Sequence, residues 1–350
     1  MIDAPGAQMP LRLRLDGGAL TSNYRFLANA SGSGVAGAAV KANGYGLGAR
    51  EVVARLSKAG CRDFFVAHWA EAFAIADIVP PDQITVLNGV GEGDIMAALS
   101  LGARPMLNSP AQIERWRVAG GGRCHVMIDS GINRLGIGPE QISSGLFDGL
   151  DIDIVASHLA SADEDGPQNA QQLALFRQVI SMVPAQRRSF ANSAGIMLGP
   201  DYHFELTRPG LSLYGGIARP PMAAFIKQVV FPQAQVLQIR DLSAAAPVGY
   251  NATFRCPAAM RVATISLGYA DGYLRGFSNS GAAKFDGTSL PVIGRVSMDL
   301  VTLDASGVQN LREGDWVELD YTLADASRQS GLSQYELLAG LGQRYWRGWQ

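Results

Sequence analysis

The stretch Ala38-Ala39-Val40-Lys41-Ala42-Asn43-Gly44-Tyr45-Gly46 sets an apolar run against a lone lysine and a glycine-rich turn. A buried strand that passes through a loop into a helix has this form. A lysine at the mouth of such a strand is partly desolvated, which eases loss of its proton. The uncharged amine is a nucleophile for carbonyl groups, and a Schiff base with pyridoxal phosphate is one outcome. The commoner reading of a strand-end lysine is a cation snorkelling to solvent. The choice depends on what surrounds Lys41.

Working outward, the chain alternates apolar, β-rich runs with amphipathic segments. The strand candidates are Val35–Lys41, Asp63–Ala67, Ile84–Leu87, Ala103–Leu107, Cys124–Asp129, Ile152–Ser157, Arg188–Asn192 and His203–Thr207. Between them, Val52, Val53 and Leu56 share a helical face, as do Leu173, Phe176 and Ile180. Eight strands alternating with helices predict a (β/α)8 TIM-type barrel in an α/β protein rather than an open sheet. Past Pro220-Pro221 the runs become short and partly alternating, at Ala234–Leu242, Met260–Leu267, Ala282–Phe285, Leu290–Val296, Leu300–Leu303 and Trp316–Leu319. Asp286-Gly287 is a hairpin signal, and one helix is expected at Gln334–Leu341. The expected division is a barrel over residues 1–225 and a mostly-β domain over residues 226–350. The alternating strand Leu11–Leu15 precedes the barrel and is a candidate to join the second domain.

Composition narrows the class. A chain of 350 residues with net charge −2 and mixed signs throughout carries no nucleic-acid footprint. The three cysteines, Cys61, Cys124 and Cys256, have no metal-like spacing and fit a reducing compartment. Met1 to Asp16 lacks the apolar core of a signal peptide, and no run of about twenty apolar residues is present. A cytoplasmic enzyme acting on a small molecule is the expectation, without nucleic acid or membrane as partners.

In a barrel of this kind reactive groups lie in the loops that follow the strands. Those positions hold Lys41, then Arg134 within Asp129-Ser130-Gly131-Ile132-Asn133-Arg134-Leu135-Gly136, His158 within Ser157-His158-Leu159-Ala160, Asn192-Ser193-Ala194-Gly195, and Arg208-Pro209-Gly210. The last two follow strands seven and eight, where barrels often bind phosphate. Alone, Arg134 reads as a surface ion pair, His158 as a hydrogen-bonded strand-end histidine and Asn192-Ser193 as a turn. Their shared position is what marks an active site. His68, His125, His158 and His203 show no metal-ligand spacing, and neither a G-x-S-x-G elbow nor a P-loop occurs, so no metal is expected.

Val40-Lys41-Ala42-Asn43-Gly44-Tyr45-Gly46 resembles the cofactor-attachment signature of the alanine racemases, pyridoxal 5'-phosphate enzymes of the fold-type III barrel group. The similarity runs on through Asp129–Gly136, His158–Glu164, Asn192-Ser193-Ala194, Arg208–Gly215, Val248–Phe254, Gly268-Tyr269-Ala270-Asp271-Gly272, Gly294-Arg295-Val296-Ser297-Met298-Asp299 and Tyr335-Glu336. This resemblance implies a head-to-tail homodimer with shared active sites, and D-alanine supply to the cell wall or alanine catabolism. It implies Lys41 as Schiff-base lysine and base on one face of the substrate, with Tyr250 of the partner subunit as base on the other. By the same match Arg208 faces the pyridine nitrogen and Arg134 the phenolic oxygen. Tyr45, Ser193, the amides of Gly210 and Leu211, and Tyr335 hold the phosphate, with Asn192 beside them. Met298 of the partner subunit receives the substrate carboxylate through its amide, helped by Arg134, and His158 lies behind Tyr250. Asp163, Tyr269, Arg275 and Arg295 match an access corridor.

Removing a proton from one face and returning one to the other needs two opposed groups. A phenol serves as one of them only where cations lower its proton affinity. Three positions depart from the family pattern. Met127 stands where many relatives carry a carbamylated lysine, Leu47 where a histidine follows the lysine motif, and Ser189 where a histidine precedes Asn192. A serine or broad-specificity racemase, a related decarboxylase, a non-catalytic pyridoxal-phosphate carrier and a cofactor-free sugar-phosphate barrel are the competing readings. Tyr250 and the Met298 segment favour racemisation over decarboxylation.

Overall fold

The computed structural model describes residues 9–350; the start of the segment read for a signal peptide, residues 1–8, lies outside them. Two compact units divide the described chain. One is Ala19–Lys227; the other combines residues 9–18 with Gln228–Gln350. The grouping of the amino terminus follows from β1 (Leu11–Leu15), where Leu11, Leu13 and Leu15 are buried and Arg12 and Arg14 alternate with them.

The first unit is a parallel barrel. Its strands are β2 (Val35–Ala36), β3 (Ala38–Ala39), β4 (Phe64–Val66), β5 (Ile84–Val86), β6 (Arg104–Leu107), β7 (Cys124–Met127), β8 (Ile152–Ala156), β9 (Arg187–Ser189) and β10 (Leu206–Thr207). They pair in the order β2-β10-β9-β8-β7-β6-β5-β4-β3. The run read as one first strand is therefore split at Gly37. Its front half pairs with the last strand and its back half with β4, and so the two ends of the sheet meet in one stretch of chain. The strands are fully buried across β4, β5, β7 and β8, as parallel sheets covered on both faces require. Helices such as Ala49–Lys58 and Pro167–Ile180 supply the outer layer, burying Val52, Val53 and Leu56 in one and Leu173, Phe176 and Val179 in the other.

The second unit is mostly β. Its strands are β11 (Val230–Leu242), β12 (Pro247–Val248), β13 (Phe254–Arg255), β14 (Met260–Ser266), β15 (Ala282–Phe285), β16 (Thr288–Pro291), β17 (Leu300–Asp304), β18 (Trp316–Leu319) and β19 (Trp346–Trp349). The long β11 takes β1, β14 and β18 as antiparallel partners, and β1 is flanked on its other side by β19 in parallel. Asp286 and Gly287, both at positive φ, turn β15 into β16 as the hairpin signal predicts. The helix Leu323–Ser330 and strand β19 are additions to the sequence reading. No helix among the described residues is long and apolar enough to cross a membrane.

Candidate active site

The carboxyl ends of the barrel strands carry the groups singled out above. Lys41 follows β3 with Val40 between, and the chain then makes a left-handed turn: Ala42, Asn43, Gly44 and Tyr45 have φ of 53, 54, 63 and 53°. Asn43 and Gly44 reach this region readily, whereas Ala42 and Tyr45 each cost about 1–2 kcal/mol relative to a right-handed conformation. Hydrogen bonds hold the turn against that cost. Gly44 N–H donates to the Val40 carbonyl at 2.8 Å, Gly48 N–H to Asn43 O at 2.9 Å, and Ala49 N–H to Asn43 Oδ1 at 2.9 Å. Glu71 adds a clip: its carboxylate accepts from the amides of Ala42 at 2.6 Å and Ala67 at 2.7 Å, joining the lysine turn to the end of β4. The sequence reading passed over Glu71; its position four residues after Ala67, at the opening of a helix, was the available signal.

Burial lowers the proton affinity of the Lys41 amine, the Arg134 guanidinium lowers it further, and Glu71 opposes both. Arg208 is 7% exposed and its guanidinium donates to Ser189 Oγ and, at 2.5 Å, to the carbonyl of Ser157. Burial brings its pKa down to about 10, so it remains a cation at neutral pH with neutral oxygens as partners. His158 follows β8. Burial first, then Arg208, Arg134 and Lys41, push its pKa down to about 3, so the ring is neutral. Lys41, Arg134 and Arg208 all lie within electrostatic reach of the His158 ring.

Backbone donors face the same end. Ser193 Oγ accepts from the amides of Gly210 at 2.9 Å and Ser212 at 3.3 Å, pulling the loop after β10 onto the loop after β9. The Gly210 amide is thus engaged by Ser193, while the Leu211 amide has no acceptor among the described residues. A Cβ on residue 210 would lie 2.3 Å from Tyr45 Oη, so only glycine admits this phenol. Tyr45 is buried and stacks on Tyr214 with ring centroids 4.6 Å apart. Asn192 spends its side-chain oxygen on the Gly195 amide at 2.9 Å, a turn-forming task. Arg134 is exposed on a loop whose amides, from Gly131 to Arg134, all bond to the Asp129 carboxylate. Met127 is buried, and Asp163 is exposed in the loop after His158.

The remaining candidates belong to the second unit. Tyr250 is 67% exposed at the tip of the β12–β13 hairpin, where Gly249, Asn251 and Ala252 take positive φ. The hairpin stands on a small core of Val248, Cys256, Met260, Val262 and Ile293. Met298 is exposed, and so is Arg295; Arg275 lies over the Tyr269 ring at 5.6 Å. Tyr269 and Met298 sit on adjoining loops, since the Tyr269 amide donates to Ser297 and the Ala270 amide to Met298. Tyr335 is half-exposed in the helix Gln334–Ala339.

Comparison with known proteins agrees across the chain. Residues 15–218 match the family model "Alanine racemase, N-terminal domain" and residues 229–349 the model "Alanine racemase, C-terminal domain". A catabolic alanine racemase of Mesorhizobium japonicum is 43% identical over 96% of this chain and 92% of its own. A biosynthetic alanine racemase of Agrobacterium fabrum is 38% identical over 97% and 94%. The crystal structure of alanine racemase from Bartonella henselae with covalently bound pyridoxal phosphate superimposes with a TM-score of 0.91 at 36% identity, over 98% of this chain and all of that one.

Proposed function

The chain belongs to the alanine racemase family, and from that premise we propose that it interconverts L- and D-alanine with pyridoxal 5'-phosphate, using Lys41 on one face of the substrate and Tyr250 of the partner subunit on the other. The observation that carries the reading is the depressed amine of Lys41 within a neighbourhood of Arg134, Arg208 and neutral His158.

The residues present fit the cofactor. A free Leu211 amide, the Ser193 hydroxyl and the glycine gap that admits Tyr45 offer donors for a phosphate group. A cationic Arg208 without a carboxylate partner suits a ring nitrogen that acts as acceptor. When bound, the cofactor supplies the electron sink that makes the substrate's α-hydrogen acidic.

The chain's own groups divide the remaining work. Lys41, with lowered proton affinity, would hold the cofactor through its amine, and once the substrate's own amine displaced it the freed Lys41 amine would take or return the α-proton. Arg208 stays protonated, and set against the cofactor's ring nitrogen it would keep a proton off that atom. That weakens the sink and favours prompt return of the α-proton over its transfer elsewhere. His158 remains neutral at working pH and adds no further charge to the site. Arg134 and the amide of the partner subunit's Met298 take the substrate carboxylate. Tyr250 holds or accepts the proton on the opposite face.

The test is a panel of single enantiomers, alanine and serine, with product chirality measured on purified protein. Alanine is expected to be racemised from both sides and faster than serine. Tyr250→Phe is expected to slow proton abstraction from one enantiomer by about 10²- to 10⁴-fold, with a much smaller effect on the other. Net racemisation must fall equally in both directions, because the two enantiomers are equal in free energy. The discriminating readout is therefore solvent exchange of the α-hydrogen. Equal losses of that exchange from both enantiomers defeat the two-base assignment, and preference for serine defeats the substrate.

A further inference from the structure

One guanidinium in the second unit joins two loops that the functional reading uses. Asp271 is fully buried, and its carboxylate accepts from Arg344 Nε at 2.6 Å and Nη2 at 2.8 Å. It also accepts from the Gly268 amide at 2.9 Å, closing the turn that carries Tyr269. The third donor direction, Arg344 Nη1, reaches Asp299 Oδ1 at 2.7 Å, next to Met298. Turn and loop are pressed together: a Cβ on Gly268 would fall 2.1 Å from the Met298 carbonyl. The carbonyls of Ser297 and Met298 accept from Tyr269 and Ala270 at 3.0 and 3.1 Å, while the amides of Met298 and Asp299 have no acceptor among the described residues. Arg344 thus grips a buried anchor with two donors and the Met298 loop with the third. A lysine ammonium, a point charge without the planar fork, cannot reproduce this.

We infer that Arg344 is a positioning residue for the substrate carboxylate: by tying Asp299 to the buried Asp271, it holds the loop whose Met298 amide receives that group. The inference rests on the reading of Met298 given above. A free backbone amide binds an anion usefully only where its direction is fixed beforehand. The tie also places a cation beside Asp299, whose carboxylate would otherwise repel an anionic substrate one residue away.

The test uses the holoenzyme. Asp299→Ala severs the Met298 arm and leaves the buried Asp271–Arg344 pair intact, so it folds even if Arg344→Lys does not. KM for both enantiomers of alanine is expected to rise about five- to tenfold with kcat changed less than about twofold. Asp299→Asn keeps an oxygen for Arg344 Nη1 and is expected to restore KM to within about twofold. Hydrogen exchange, which needs no turnover, is expected to quicken at Tyr269 and Ala270 in Asp299→Ala while β14 is unchanged. Unaltered exchange with unaltered KM overturns the inference. Faster exchange in an enzyme whose KM does not move overturns it too, because the tie then exists without serving the carboxylate. Wild-type protein inactive on alanine would instead indict the functional reading, before any variant is compared.

Discussion

The two ends of the barrel handle charge in opposite ways. At the amino ends of the strands, Asp153 is 3% exposed and accepts from Arg187 at 3.0 and 2.8 Å and from Arg104 at 2.5 Å. Arg187 also grips Asp63 at 3.2 and 2.8 Å. Burial alone would raise the Asp153 carboxyl, yet Arg187, His125 and Arg104 outweigh it and hold it low. At the carboxyl ends, Lys41, Arg134 and Arg208 crowd a neutral histidine, and the nearby acid, Glu71, has both oxygens committed to backbone amides. One end cancels its charges and closes the barrel. The other leaves a positive excess that an anionic ligand completes. In barrels the second arrangement reads as function and the first as stability.

Substitutions at each end should therefore fail differently. Lys41→Ala is expected to cost on the order of 10⁴-fold in racemisation in both directions, and to abolish a visible absorption band that borohydride bleaches in the wild type. With cofactor stripped from both proteins, its thermal unfolding should be unchanged or slightly improved, since a half-buried cation is removed. Asp153→Ala is expected to do the reverse. Leaving Arg187 and Arg104 without their shared partner should cost about 3–5 kcal/mol of stability in denaturant titration. Activity per folded molecule should stay within a few-fold. An Asp153→Ala enzyme of normal stability but low kcat would erase the distinction between the ends.

The sequence carried much of this contrast, though unevenly. Barrel strands were legible because two-sided burial leaves short apolar runs, and the lysine turn because Asn43-Gly44 advertises positive φ. That Ala42 and Tyr45 share the left-handed conformation was not legible, since Glu71, far along the chain, stabilises it. The split at Gly37 was hidden too, because only barrel closure shows the two halves of one run pairing with different neighbours. β19 escaped notice as four residues without an alternating pattern, joined in parallel to the opposite terminus. Ser189 appeared as a departure from a family histidine; its hydroxyl accepts from Arg208 in that place. Arg344 drew no attention at all. A residue that works by reaching across several loops leaves no local signature.

Protonation offers the subtlest test of the contrast. His125 and His158 both have pKa values depressed to about 3, the first chiefly by burial with Asp153 opposing, the second by burial reinforced by Arg208, Arg134 and Lys41. In each case the unfolded imidazole titrates near 6.5, above the folded value. Between these values the unfolded chain binds a proton that the folded chain refuses. Stability is therefore full above about pH 6.5 and declines as pH falls toward 3. Inorganic phosphate at the cationic end should offset the three positive charges and raise the His158 value, making the decline shallower. It should leave His125, among paired charges at the other end, unmoved. In denaturant titrations across that range, with and without phosphate, the effect of phosphate on the pH slope of stability is expected to vanish in His158→Gln and to persist in His125→Gln, apart from the pH-independent gain from binding itself. A phosphate effect on the pH slope that survives in His158→Gln would mean that the cationic mouth does not govern this ring, and the electrostatic asymmetry between the two ends would lose its chemical consequence.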